Sequence, residues 1–181
     1  MKIFDAHIHL NDEKFPEAKK AALSLNKELR ENNVTKAVVI HLNIQKWTVN
    51  EFLNATKKYK NFITILNINT KDKQIKVKLH KFFKNKLFKG IKLHPRLGNF
   101  NLKDKNVAKL LKYYQKYNLP VIIDAFPDGD FMMNNFDPLD YAYLAKKFPK
   151  IKFVWAHIGG HYVLDFLMLS KRLPNVQFDF S

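Results

Sequence analysis

Cysteine is absent from this chain of 181 residues. That excludes disulfides, thiolate metal ligands and a cysteine nucleophile together, so any metal must be taken by His, Asp, Glu or a lysine-derived group. No stretch approaches the roughly 18 consecutive apolar residues of a membrane span. The N-terminus passes directly into a strand-like motif and not a signal peptide, so a cytoplasmic protein without membrane association is expected. Neither GxGxxG nor GxxxxGK[ST] follows the first apolar run, which removes support for the nucleotide-binding open sheets. Arginine is scarce: only Arg30, Arg96 and Arg172 accompany the lysines. The formal charge of +16 attracts phosphate. Nucleic-acid readers, however, combine clustered arginine with aromatic platforms, and here the lysines are scattered over helix faces, as at Lys19-Lys20, Lys57-Lys58 and Lys146-Lys147. They read as a solvated exterior, and the expected partner is a small-molecule substrate, with no nucleic acid.

What is present is a regular alternation. A hydrophobic content of 46% with 14% aromatic residues indicates a globular protein, and the length suits one domain with a sizeable core. Apolar runs of strand length at residues 2–8, 35–41, 62–67, 88–93, 119–125, 151–156 and 175–180 alternate with helical periods at 16–32, 48–59, 72–85, 104–117, 137–148 and 161–173. Continuous apolar runs such as Ala37-Val38-Val39-Ile40 and Val121-Ile122-Ile123 fit parallel strands covered on both faces. An open doubly wound sheet and a closed eight-stranded barrel both fit βα repeats. The barrel is favoured because His9, His41, His94, Asp124, His157 and Asp179 fall at or near strand C-termini, the face on which barrel enzymes do chemistry.

The chemistry begins at Asp5-Ala6-His7-Ile8-His9. Alternation along a strand puts Asp5, His7 and His9 on one face, and two imidazoles there can share a cation. A catalytic zinc needs about three protein ligands and an open position, so further ligands must come from elsewhere. Lys92 and His94, two apart, share a face of the fourth strand. Lys92 reads either as an ion-pair partner of Asp5 or Asp124 or as a substrate-binding group, with a carboxylated metal-bridging lysine as a third possibility. Arg96, in the next loop, can clamp a carboxylate or stand as a solvated cation. Asp124 ends the fifth strand before a lid-like loop, residues 126–133. His157 precedes Gly159-Gly160, where glycine permits close backbone approach to a ligand. His41 and His80 read as structural.

In order, Asp5-Ala6-His7-Ile8-His9, Gly90-Ile91-Lys92-Leu93-His94-Pro95, Leu119-Pro120-Val121-Ile122-Ile123-Asp124, Val154-Trp155-Ala156-His157-Ile158-Gly159-Gly160 and Asn175-Val176-Gln177-Phe178-Asp179 resemble strands 1, 4, 5, 6 and 7 of the amidohydrolase superfamily. The branch is the amidohydrolase-related one that contains aminocarboxymuconate-semialdehyde decarboxylase-like enzymes. The resemblance implies a (β/α)8 TIM-type barrel and a divalent metal, zinc, held by His7, His9 and Asp124. It further implies catalytic roles for His157 and Asp124, and substrate binding by Lys92, His94 and Arg96. The implied function is a metal-dependent hydrolase or decarboxylase acting on a small carboxylate-bearing molecule, with a homodimer as its possible assembly. Two departures stand out. Asp124 occupies the position where the family usually has a metal-binding His, and the family's eighth strand, with its metal-binding Asp, lies beyond Ser181. Residues 1–181 are therefore expected to be one barrel domain, incomplete at its C-terminus, from a longer protein. The alternative is a non-catalytic binding or partner protein derived from such a barrel.

Overall fold

The computed structural model describes residues 2–181. Seven strands form one sheet: β1 (Ile3–Ile8), β2 (Val34–His41), β3 (Phe62–Asn67), β4 (Ile91–Leu93), β5 (Val121–Asp124), β6 (Phe153–Ala156) and β7 (Val176–Phe178). They lie side by side in sequence order, every neighbouring pair parallel. Parallel neighbours need a helical return, and successive returns of one hand curl the sheet toward a barrel. The major returns are α1 (Ala18–Glu31), α2 (Val49–Thr56), α3 (Ile75–Lys84), α5 (Lys105–Tyr114), α7 (Pro138–Lys147) and α8 (Val163–Ser170), with short helices α4 (Pro95–Gly98) and α6 (Asp130–Asn135) between. The seven strands expected from the sequence are thus formed among the described residues, six of them followed by a helical return. None of their helices is long and apolar enough to cross a membrane.

Local signals explain where the elements begin. In α1, Ala18, Ala21, Ala22, Leu25 and Leu29 are buried, a single apolar stripe at helical spacing. A capping box opens α2: Thr48 Oγ1 accepts from the Glu51 amide while the Glu51 carboxylate accepts from the Thr48 amide, satisfying donors that the first turn leaves free. Pro138 starts α7 behind Asp137, whose carboxylate accepts from the Leu139 amide at 2.8 Å.

Two apolar layers flank the sheet. The larger lies between strands and helices, around Phe52, Phe88, Leu111, Trp155 and Phe166. The smaller is the barrel interior, where Ile40, Ile65, Ile122 and Ala156 meet. Alternation along the strands then determines what lies above this plug: two residues beyond Ile65 is Asn67, and two beyond Ile122 is Asp124. Both are buried. An apolar floor thus carries a polar layer at the C-terminal ends of the strands.

Several expected boundaries shift for physical reasons. β5 begins at Val121, not 119, because Pro120 has no amide to give. The helix expected over 161–173 is preceded by a 3-10 segment, His157–Tyr162, in which His157, Ile158, Gly159 and Gly160 all have positive φ. The lid-like loop runs into α6, and α4 begins at Pro95; both helices are shorter than the periodicity signal can register.

Candidate active site

The strand-1 motif is not a plain strand. Asp5 pairs with Ala37 and Ile8 with Val39, three residues against two, so a bulge lies at Ala6-His7 and re-aims the side chains. The Asp5 carboxylate accepts from the His7 amide at 3.0 Å and supports the turn of the backbone. Asp5 therefore serves the loop geometry, and the two histidines face the interior.

Each histidine is held through Nδ1. His7 Nδ1 lies 3.0 Å from Asp179 Oδ2, and His9 Nδ1 lies 2.9 Å from the Ile40 carbonyl. An acceptor at Nδ1 fixes the proton there and leaves the lone pair on Nε2, the arrangement that outer partners impose on metal-binding imidazoles. Burial lowers both pKa values, that of His9 to about 4, so both rings are neutral.

Asp124 is the hub of the layer. Its Oδ1 lies 3.2 Å from His157 Nε2, 3.4 Å from His94 Nε2 and 3.7 Å from Lys92 Nζ. Its Oδ2 is buried with no hydrogen-bond partner. Burial opposes ionisation of Asp124, but the His157 hydrogen bond and the nearby positive charges outweigh it and hold the pKa below the usual range. His157 is the counterpart: its two nitrogens contact Asp124 Oδ1 and the Ser181 carbonyl, at 3.2 and 2.9 Å, and the Asp124 hydrogen bond raises its pKa. His94 is neutral, pushed to about 3 by burial, and its Nδ1 accepts from the Leu97 amide at 3.4 Å. Lys92, 1% exposed, places Nζ 2.8 Å from His7 Nε2; burial lowers its pKa to about 8 against the pull of Asp124 and Asp179. Asn67 completes the layer, donating to the Lys92 carbonyl and accepting from the Asn43 amide.

The structure thus brings His7, Lys92, His94, Asp124 and His157 into one contact network, with His9 beside His7 at a ring separation of 5.2 Å. Of the two ion-pair partners considered for Lys92, the one found is Asp124. Arg96 stands outside the network and pairs with Asp128 at 2.7 Å. His41 packs on the helix side against Phe52. Two participants escaped the sequence reading as site residues. Asp179 was visible only as a polar residue at a strand end, and it proves to hold His7 and, through Oδ1, the His157 amide at 3.0 Å. Nothing in the sequence marks Ser181, whose Oγ lies 2.7 Å from Asp179 Oδ1 and 3.0 and 3.1 Å from Nδ1 of His157 and His7.

Among the described residues, one group of three ligand-type side chains has its donor atoms drawn within 4.8 Å: His7, His157 and Asp179. Its members already bond to one another and to Ser181, so they form an orienting layer. Outside those bonds, Nε2 of His7, in contact with Lys92 Nζ, Nε2 of His9 and the buried, unpartnered Asp124 Oδ2 keep lone pairs that a cation could take. Two neutral imidazoles and a buried, unpartnered carboxylate oxygen suit a borderline divalent cation such as zinc or manganese.

Parallel βα winding with paired strand-1 histidines in a polar layer at the strand C-termini defines a protein of the TIM-barrel class. The sequence profile of the amidohydrolase family matches residues 4–181, and the chain belongs to that family. No curated protein matches it by sequence at a significant level. Among solved structures, a TIM-barrel protein from Bordetella bronchiseptica is 15% identical with a TM-score of 0.79, covering 100% of this chain and 75% of its own. A probable 2-pyrone-4,6-dicarboxylic acid hydrolase from Acinetobacter baumannii, with citric acid bound, is 18% identical at a TM-score of 0.70, over 100% of this chain and 70% of that one. A 5-carboxyvanillate decarboxylase from Novosphingobium aromaticivorans, complexed with manganese and a nitrobenzoic acid, is 13% identical at 0.58, over 86% and 57%. At these identities the likeness is one of fold.

Proposed function

We propose that this chain is a metal-dependent hydrolase or decarboxylase acting on a small carboxylate-bearing molecule, with zinc held by His7, His9 and Asp124. The observation that carries the reading is the preparation of the donors: both histidines are neutral and pinned through Nδ1, and Asp124 Oδ2 is buried without a partner. Zinc, when bound, supplies Lewis acidity that polarises a carbonyl or carboxyl group and eases loss of a proton from water.

The side chains supply the rest. His157, hydrogen-bonded to Asp124, which raises its pKa, is placed to deliver a proton to a leaving group or to a carbanion-like carbon, and Asp124 to take it back. His94 borders a cleft of about 160 Å³ lined by Asn43, Asn67, Asn69 and Lys71 among others, whose amides and ammonium suit an oxygen-rich substrate. Arg96, two residues beyond His94 in α4, offers a guanidinium to a carboxylate. Hydrolases and decarboxylases of carboxylated rings among the structural neighbours support the same substrate class.

Two measurements test the reading together. Zinc retained after dialysis, read by elemental mass spectrometry, should approach one equivalent in the parent and fall to background in the double variant His7→Ala, His9→Ala. Turnover of a panel of aromatic and pyrone carboxylates should disappear in parallel. Equal zinc content in parent and variant would overturn the assignment.

A further inference from the structure

Lys92 occupies the free lone pair of His7, a proposed metal ligand. Its Nζ is 2.8 Å from His7 Nε2, closer than any other partner that lone pair has, and 3.7 Å from Asp124 Oδ1. A zinc–imidazole bond is about 2.0–2.1 Å long, so ammonium and metal cannot share His7 Nε2. Around Asp124 Oδ1, the Lys92 ammonium stands beside the Nε2 atoms of His94 and His157.

We propose that Lys92 is a tethered internal competitor for the metal: its ammonium holds His7 Nε2 and compensates Asp124 in the metal-free protein, and swings away when the site loads. Two roles follow. The lysine keeps a buried carboxylate from being left alone, which is costly in a low-dielectric interior, so the chain folds before metal arrives. It also weakens retention of the metal, because every loading event must break the contact with His7 and expel or relocate a positive charge. The proposal rests on the metal-site reading of His7, His9 and Asp124.

Zinc affinity of the full chain, measured by competition with a chromophoric chelator at one fixed pH, tests it. Lys92→Met, a neutral side chain of similar length, should bind zinc at least tenfold more tightly than the parent. Equal affinity would overturn the proposal, and so would weaker binding, which would make Lys92 a ligand. Should Lys92→Met fold only with zinc, the parent labelled with 15N at lysine side chains gives an independent readout. The buried Nζ resonance should move or broaden as one equivalent of zinc is added, and an unmoved resonance in the zinc-loaded protein would overturn the proposal. Failure of the metal-site reading is distinguishable, since His7→Ala would then leave zinc affinity unchanged whatever Lys92 does.

Discussion

Taking the chelator-dialysed protein from pH 7 to pH 5 asks four buried histidines to accept protons that their surroundings oppose. Burial depresses the pKa values of His7, His9, His41 and His94 from 6.5, with His9 reaching about 4 and His94 about 3. In the unfolded chain all four take up protons near 6.5. The unfolded state therefore binds more protons below that pH, and stability present above 6.5 is lost as pH falls toward the folded-state values. At about 1.36 kcal/mol per pKa unit, His9 and His94 each cost roughly 2 kcal/mol between pH 7 and 5, roughly 4 together. His7 and His41 add to this in the same direction. His157 works the other way, its pKa being raised, but its effect is complete once pH has dropped below 6.5. Asp124 and Asp179 titrate below the window, and Lys92 above it. Against a typical domain stability of about 5–15 kcal/mol, a loss near 4 kcal/mol is large. Urea titrations at pH 7, 6 and 5 should show the midpoint falling throughout, most steeply between 6 and 5. A midpoint at pH 5 equal to or above that at pH 7 would refute the neutral, buried state assigned to these rings.

Asp179→Asn keeps the shape of the contact at 3.0 Å from His7 but removes the charge, and loss of such an orienting partner should weaken zinc binding about 10–100-fold; undiminished affinity would count against its role. Arg96→Ala breaks a partly exposed ion pair with Asp128, so melting should change by less than about 1 kcal/mol while KM for a carboxylate substrate rises; an unchanged KM would remove Arg96 from the binding surface. In Gly90→Ala the new Cβ would meet Ile65 Cδ1 and the Pro120 carbonyl oxygen, both at 2.8 Å. The carbonyl belongs to the backbone beside β5 and cannot turn aside, so a cost of about 1–3 kcal/mol is expected, and parent-like thermal stability would contradict the tight spacing of β3, β4 and β5. Phe166→Ala empties a fully buried position packed against Trp155 and Tyr141. Chemical denaturation should register a loss of about 3–5 kcal/mol, and a loss below 1 kcal/mol would show that the core there is loose.

The winding of this fold was legible because apolar runs and helical periods alternate without interruption, whereas the start of β5 was not, since the apolar run continues across Pro120. The candidate ligands were legible where chemistry is local, as in the spacing of His7 and His9 or of Lys92 and His94. Contacts that depend on which strand ends lie opposite one another were not. Periodicity places Asp179 at the end of a strand without saying that β7 will face β1. Likewise, the bulge at Ala6-His7 is a register mismatch with β2, a property of two segments, and the polar layer above Ile65 and Ile122 becomes visible only once the inward face of each strand is known. The sequence of Ile158, with φ of 44°, gives no hint that a β-branched residue will adopt a left-handed backbone; that conformation is imposed by the turn that delivers His157 to Asp124.

The bond between His7 and Asp179 joins residues 172 positions apart, from β1 to just past β7. Such contacts are slow to form, because the segments between must be ordered before they repay the entropy of closing so long a loop. The imidazole that the proposed chemistry depends on is therefore oriented only after every strand between has taken its place. A half-folded chain can possess the apolar floor, yet its strand-1 histidines would be free to rotate and to seize stray metal in the wrong tautomer. Because the contact spans β1 to β7, orientation of His7 depends on the ordering of the strands between them and not on the first strand alone.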